Sequence, residues 1–356
     1  MMCGSRFKAW LAVAVIVVVM ALAMPVNAAK HDVPAAITKV IGLYEGASDK
    51  FLLRENDGHV EMVYDMGDRN SAPFSLYAVF PLQVIAADEY QLIIASPLRK
   101  ATGKVYIERD ASGFGNVCLV GPDAYNRRFF DPELGKTYRL KAQYSLEELR
   151  RLAATASPPP EQGTFLHPDL INVATLDSSI HLDIRYATDN NFIGAPLYDR
   201  PRAYLQRPAA EALVRVHKKL VSHGYGLIIH DAYRPWAVTK MFWDATPEAQ
   251  KMFVADPAKG SRHNRGGAVD LSLYDLSTGR PIAMISGYDE FSLRAHPGYP
   301  GGTALERGRR DLLRIYMEAE GFTVYEEEWW HFDYKDWRSY PIMNLSFAEL
   351  DDASGR

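Results

Sequence analysis

The chain has 356 residues, of which 47% are hydrophobic, 24% charged and 12% aromatic, with a formal net charge of −4. These proportions exclude a disordered or fibrous chain, and without a long Lys/Arg run they give no ground for nucleic-acid binding. The length exceeds what one typical domain needs, so two domains are expected.

The first residues read as a secretory signal, residues 1–28. Arg6 and Lys8 give the positive start, Ala9 to Met24 is apolar, and Pro25-Val26-Asn27-Ala28 offers a small-residue cleavage site after Ala28. The competing reading is an uncleaved anchor, in which case this segment is the chain's membrane contact. Cleavage removes Cys3 and leaves Cys118, so no internal disulfide is expected in the mature chain. A periplasmic location fits an exported chain of this kind.

Residues 31–144 carry short runs rich in Val, Ile, Leu, Tyr and Phe, separated by turn residues. Phe51-Leu52-Leu53-Arg54 and Val60-Glu61-Met62-Val63-Tyr64 flank Asp57-Gly58, a strong hairpin signal. Further strands are expected at Leu76–Phe80, Tyr90–Ala95, Lys104–Glu108 and Tyr138–Lys141. With no long helical period, this half reads as an all-β accessory domain, a small barrel or a sandwich. Residues 145–163 read as the boundary: a short helix at Ser145–Ala154, then Pro158-Pro159-Pro160, a stiff connector.

From 164 to 345 the texture changes. Pro208–His223 has helical spacing, and Leu227-Ile228-Ile229 reads as a buried strand. A helix is expected from Trp236 towards Phe242, a strand over Ala268–Tyr274, a helix over Arg309–Glu320 and a strand over Trp329–Tyr334. This is the pattern of an α+β domain around a central antiparallel or mixed sheet. Residues 346–356 read as a polar tail.

Three segments carry chemistry. In Ser261-Arg262-His263-Asn264-Arg265-Gly266-Gly267-Ala268-Val269-Asp270, Asp270 lies on a strand whose other face is apolar, and a carboxylate buried there needs a partner. The glycines let the chain turn His263 back towards it, although a lone His and Asp are more often a structural pair than metal ligands. Glu326-Glu327-Glu328-Trp329-Trp330-His331-Phe332-Asp333 adds a second His. With His331 the set becomes His₂-carboxylate, leaving one position of a zinc ion open for water. Glu328, three residues earlier, is placed to be the general base. Strict alternation puts it on the wrong face, so the strand must start after it or contain a bulge. Glu326 and Glu327 are read as solvated. In His230-Asp231-Ala232-Tyr233-Arg234-Pro235, at the end of the buried strand, Arg234 offers a fixed charge for an oxyanion.

The pattern S-x-H-x-x-G-x-A-x-D followed by E-W-W-H is similar to that of the D-alanyl-D-alanine dipeptidases. This zinc family is related to D,D-carboxypeptidases and to the Hedgehog signalling domain fold. Leu182-Asp183-Ile184-Arg185-Tyr186-Ala187-Thr188 with Asn191-Phe192-Ile193-Gly194, and Gly224-Tyr225-Gly226-Leu227, resemble the same branch, so the likeness runs from about Leu170 to Pro341. The resemblance implies one Zn²⁺ per subunit held by His263, Asp270 and His331, with Glu328 as base and Arg234 stabilising the tetrahedral intermediate. It also implies substrate binding by Ser261, Asp289 and Tyr186, with Asp289 receiving the free ammonium of a small D,D-dipeptide. Asp231 is expected to orient Arg234.

The leader and the β domain depart from the better-known dipeptidases. They turn the expectation from drug resistance to cell-wall dipeptide turnover, with peptidoglycan as a second candidate partner. The alternatives are a D,D-carboxypeptidase acting on peptidoglycan stem peptides and a non-catalytic zinc- or wall-binding protein.

Overall fold

The computed structural model describes residues 33–66, 76–96 and 99–353, and the expected signal segment lies outside them. The chain divides into two compact units. The first runs through Leu134 and takes in Gly298–Arg309; the second comprises Gly135–Pro297 and the chain from Arg310. Among the described residues no helix is long and apolar enough to cross a membrane.

The first unit is a closed antiparallel barrel. Its strands are β1 Gly42–Glu45, β2 Lys50–Asn56, β3 His59–Asp65, β4 Tyr77–Ala86, β5 Glu89–Ser96, β6 Arg99–Arg109, β7 Gly115–Val120 and β8 Asp123–Arg128. They pair in sequence order, and β1 closes the ring on β8. Closure settles the choice between barrel and sandwich, and it leaves no open sheet edge. Asp57 and Gly58 both take positive φ between the Asn56↔His59 pair, the geometry a two-residue hairpin requires. The interior is filled by Tyr44, Phe51, Leu53, Met62, Leu92, Val105 and Cys118, among others. Burial pushes the Cys118 thiol up to about 12, so it is an inert core residue. The buried Glu55 carboxylate accepts the N–H groups of Gly58 and Ala304 at 2.6 and 2.8 Å, binding Gly298–Arg309 into this unit.

The second unit is α+β. Short strands β9 Leu170–Asn172 and β11 Tyr204–Gln206 pair with each other. The main sheet holds β10 His181–Leu182, β12 Tyr225–Asp231, β13 Ala268–Asp275, β14 Phe322–Tyr325 and β15 Glu328–Tyr334, in the order β10-β12-β13-β15-β14. It is mixed, because β10 runs parallel to β12 and the other pairs are antiparallel. Helix α1 (Leu146–Ala154) packs on α3 (Trp236–Ala245), and α2 (Arg207–Val221) packs on β12. Helix α2 has a proline in its first turn and buries Ala212, Leu213, Val216 and Leu220, the stripe its spacing predicts. Helix α4 (Ala304–Ala319) buries Leu312, Leu313 and Met317.

Four expectations need correction. Tyr138–Lys141 is not a strand; one backbone bond, from Leu140 to Phe192, ties it to a loop instead. The segment 145–163, read as the domain boundary, falls inside the second unit. The reason is that α1 is no spacer: it is capped by Ser145 and buries Leu149 and Ala153. The expected polar tail forms helix α5 (Phe347–Ala353), because Phe347 and Leu350 supply an apolar face that is buried. Strands β1, β7 and β8 were not among the expected ones. They carry Gly42, Gly115 and the polar run Asp123–Arg128, which weaken the strand signal.

Candidate active site

The site is built on three neighbouring strands. Asp231 at the end of β12 stands opposite Asp270 on β13, and Asp270 stands opposite His331 on β15. Irregular register sets this row. One shift falls between Ile229 and Asp231 on β12. Another separates the Val324↔Phe332 and Tyr325↔Glu328 pairs, the bulge needed to bring Glu328 to the face of His331. His263 arrives from a short turn before β13. Gly266 ends that turn at φ 66, where a Cβ would lie 2.4 Å from Leu170 Cδ2, and a Cβ on Gly267 would lie 2.4 Å from Trp337 Cβ. Both glycines are therefore required for the chain to double back.

His263, Asp270 and His331 form a buried group able to hold a metal ion. His331 Nδ1 lies 3.0 Å from Asp270 Oδ1, and His263 Nε2 lies 3.4 Å from the same oxygen and 3.1 Å from His331 Nδ1. A tetrahedral ion bonded at roughly 2.0–2.1 Å separates its ligand atoms by about 3.3 Å. The outer nitrogens are fixed as such a site requires. His263 Nδ1 donates to the Ala232 carbonyl at 2.6 Å, and His331 Nε2 donates to Asp333 Oδ1 at 3.0 Å. These bonds turn the remaining lone pairs inward. Arg262 holds Asp333 from the other side at 3.1 Å. Asp270 Oδ1 is buried without a hydrogen-bond partner, so the donor set fits a cation by geometry and by chemistry.

Around this set stand the other expected residues. Arg234 donates Nε and Nη2 to Asp231 Oδ2 at 2.9 and 2.7 Å, packs on the Phe242 ring and comes within 3.9 Å of Asp270 Oδ2. Asp231 also accepts from Tyr198 at 2.5 Å and from the Ala232 N–H at 2.9 Å, which fixes the guanidinium. Glu328 Oε2 lies 3.8 Å from His331 Nδ1. Burial, opposed by His331 and reinforced by Asp270, pushes its carboxyl up to about 7. Asp289 is buried at a positive φ of 54° and accepts the Tyr186 hydroxyl proton at 2.8 Å. Burial raises its pKa well above the usual carboxylate range, and the neighbouring charges of Asp270 and Glu328 add to the effect. Ser261 has its Oγ 3.3 Å from the His263 N–H, which it accepts; this caps the turn that carries His263.

Two groups escaped the sequence reading. Asp333, two residues after His331 on a strand and thus on its face, could have been found from the period of two. Tyr288 donates to Asp270 Oδ2 at 2.9 Å, and only its place next to Asp289 hinted at that. A Ser–His pair elsewhere is not a second catalytic centre. His217 Nδ1 accepts the Leu227 N–H, so the nitrogen facing Ser179 at 2.9 Å carries the proton and cannot act as its base.

A family model described as D-ala-D-ala dipeptidase matches residues 167–349, just over half of the chain and the whole of this site. The chain belongs to the D-ala-D-ala dipeptidase family. Family membership makes it a hydrolase, of the peptidase kind. It is 33% identical over 180 residues to the D-alanyl-D-alanine dipeptidase of Escherichia coli (strain K12), covering 51% of this chain and 92% of the relative. It is 34% identical over 198 residues to the dipeptidase of the same name from Enterococcus faecium, covering 50% and 98%. For the Streptomyces coelicolor dipeptidase the values are 33% over 186 residues, 47% and 92%. The barrel falls outside the family match.

Proposed function

We propose that the protein is a zinc-dependent dipeptidase that hydrolyses D-alanyl-D-alanine to free D-alanine. The observation that carries the reading is the convergence of His263 Nε2, His331 Nδ1 and the unpartnered Asp270 Oδ1, with Glu328 and Arg234 alongside. The names of the relatives supply the substrate.

His263, Asp270 and His331 would hold a divalent ion, which when bound would supply a Lewis acid for the scissile carbonyl and lower the pKa of water. Glu328 takes the proton of the attacking water and passes it to the leaving amine; a bound cation would favour the basic form of its raised carboxyl. Arg234, held by Asp231, stabilises the negative charge that develops on the carbonyl oxygen. Asp289 receives the substrate's ammonium, with Tyr186 fixing the carboxylate, and this restricts the enzyme to dipeptides. Ser261 binds the substrate carboxylate. The signal-like segment extends the proposal to the periplasm and to recovery of dipeptides from wall turnover. Cell fractionation tests that location, and a cytoplasmic protein would end that part of it.

The test is D-alanine release from D-Ala-D-Ala by zinc-loaded protein, chelated protein and Glu328→Ala. Release by the first alone supports the reading. No release by any, with zinc shown to be bound, overturns it and directs the search to longer stem peptides.

A further inference from the structure

We propose that Tyr288 is a positioning residue for the metal site, holding Asp270 so that a single carboxylate oxygen faces the ion. The inference rests on the dipeptidase reading and deepens it. Asp270 has two oxygens with different surroundings. Oδ1 faces the two histidine nitrogens and has no hydrogen bond, whereas Oδ2 accepts the Tyr288 hydroxyl at 2.9 Å. Among the described residues the cation nearest Oδ2 is Arg234, at 3.9 Å, beyond hydrogen-bond range. The Tyr288 hydroxyl is thus the group that decides which way the carboxylate turns.

The ring that carries this hydroxyl is itself fixed. It is buried, meets Trp330 edge-on with centroids 5.6 Å apart, lies 4.8 Å from the His230 ring and sits under the Arg185 guanidinium at 5.8 Å. A ligand's hydrogen-bonding partner held this firmly orients the ligand before the ion arrives. The same hydroxyl oxygen lies 3.2 Å from that of Tyr186, whose proton goes to Asp289. Tyr288 can give its one proton to either neighbour, and the Asp270 carboxylate, nearer at 2.9 Å and charged, is the stronger acceptor. The two hydroxyls therefore point their protons apart: Tyr288 serves the carboxylate expected to hold the metal, and Tyr186 the acid expected to hold the substrate's ammonium.

The experiment measures zinc affinity by chelator competition in wild type, Tyr288→Phe, Tyr186→Phe and Asp270→Asn, together with the visible spectrum of each protein loaded with Co²⁺. Tyr288→Phe should weaken zinc binding about tenfold or more and alter the cobalt spectrum. Tyr186→Phe should leave affinity within about threefold and instead raise KM for D-Ala-D-Ala. Zinc affinity and a cobalt spectrum unchanged by Tyr288→Phe would overturn the inference. Asp270→Asn separates the two layers: if it too binds zinc normally, the ligand assignment and the proposed function fail first. Phe keeps every ring contact, and melting of the metal-free variant checks its fold. Should it not fold, a fluorotyrosine at 288 in the otherwise unaltered chain replaces it. A fluorine signal that shifts on zinc addition then supports the role, and one that does not move refutes it.

Discussion

Replacing Asp231 by Asn tests whether one buried ion pair holds the site's guanidinium in place. Asp231 is fully buried, and its Oδ2 takes both Nε and Nη2 of Arg234, at 2.9 and 2.7 Å. An Asn of the same shape can still accept the Ala232 N–H with its carbonyl oxygen. Its amide N–H groups then face the guanidinium donors, and the charge pairing is gone. Among the described residues the remaining carboxylate within ion-pair distance is Asp270, at 3.9 Å. Breaking a buried pair on one side costs about 3–5 kcal/mol. At roughly 2–4 °C per kcal/mol for a domain of this size, the melting of the second unit should fall by about 6–20 °C. A loosened Arg234 should also lower kcat by about a hundredfold, the loss of one oxyanion donor. Thermal melting and steady-state D-alanine release measure the two effects. Removing Arg234 as well, in Asp231→Asn/Arg234→Met, should recover part of the stability, because no unpaired buried charge remains. Melting within about 2 °C of wild type and an unchanged kcat in the single variant would refute the reasoning.

Zinc at a thousand times its dissociation constant should add about 4 kcal/mol and raise the melting temperature by about 8–16 °C. His331→Ala should abolish that rise, and a rise that persists would place the ion elsewhere. Burial raises the Asp351 pKa, but bonds from Tyr204, Arg200 and Arg202 outweigh it and hold the carboxyl down at about 2. The stability this contributes, on the order of 1–2 kcal/mol once screening of the half-exposed arginines is allowed for, is present above the ordinary value near 3.8 and lost as pH falls through about 2. Asp351→Asn should therefore be less stable at neutral pH and lose less between about pH 4 and 2; equal pH profiles by denaturant titration would exclude the link. Phe347→Ala removes a fully buried ring that meets Tyr198, Tyr204 and Tyr233, and should cost about 3–5 kcal/mol by the same titration. A cost under about 1 kcal/mol would mean that α5 is a surface appendage.

The clustering of His263, Asp270 and His331 was legible because they sit beside strong local signals, two glycines and a strand whose other face is apolar. Glu328 was legible only as a conflict, since alternation placed it wrongly and left a later strand start or a bulge; β15 starts at Glu328 and has the bulge. The barrel's hairpin showed in Asp57-Gly58, whereas β7 and β8 did not, because Gly115 and the polar run Asp123–Arg128 weaken their own strand signal. Helix α5 was hidden by its acids: Asp351 looks like surface until Arg200, Arg202 and Tyr204, far away in sequence, are brought to it. Tyr288 was invisible for the same reason. Tyr288 lies in a turn and its partner is a carboxylate on β13, and no spacing within one segment encodes that.

The charges around the ligand set require more than the chain supplies. Asp231, Asp270, Asp289 and Glu328 meet one guanidinium, Arg234, while Asp333 is offset by Arg262. A dication and the ammonium of a dipeptide would balance the three charges left over. Without them, protons take their place: Glu328 and Asp289 are held above the ordinary carboxylate range, chiefly by burial. For His331, burial works the other way, but the negative charges of Asp270 and Asp333, each 3.0 Å away, outweigh it and hold the imidazole above its usual value. An ion entering at neutral pH must then displace the His331 proton and draw part of the Glu328 proton with it, since ligands bind deprotonated. Zinc binding at pH 7 should accordingly release about one to two protons per ion, and the apparent affinity should rise with pH from 6 to 8. Calorimetric titration in buffers of different ionisation enthalpy counts those protons directly. Release of none, with an affinity independent of pH, would mean that the carboxylates are neutralised in some other way and that the balance argued from these residues is wrong.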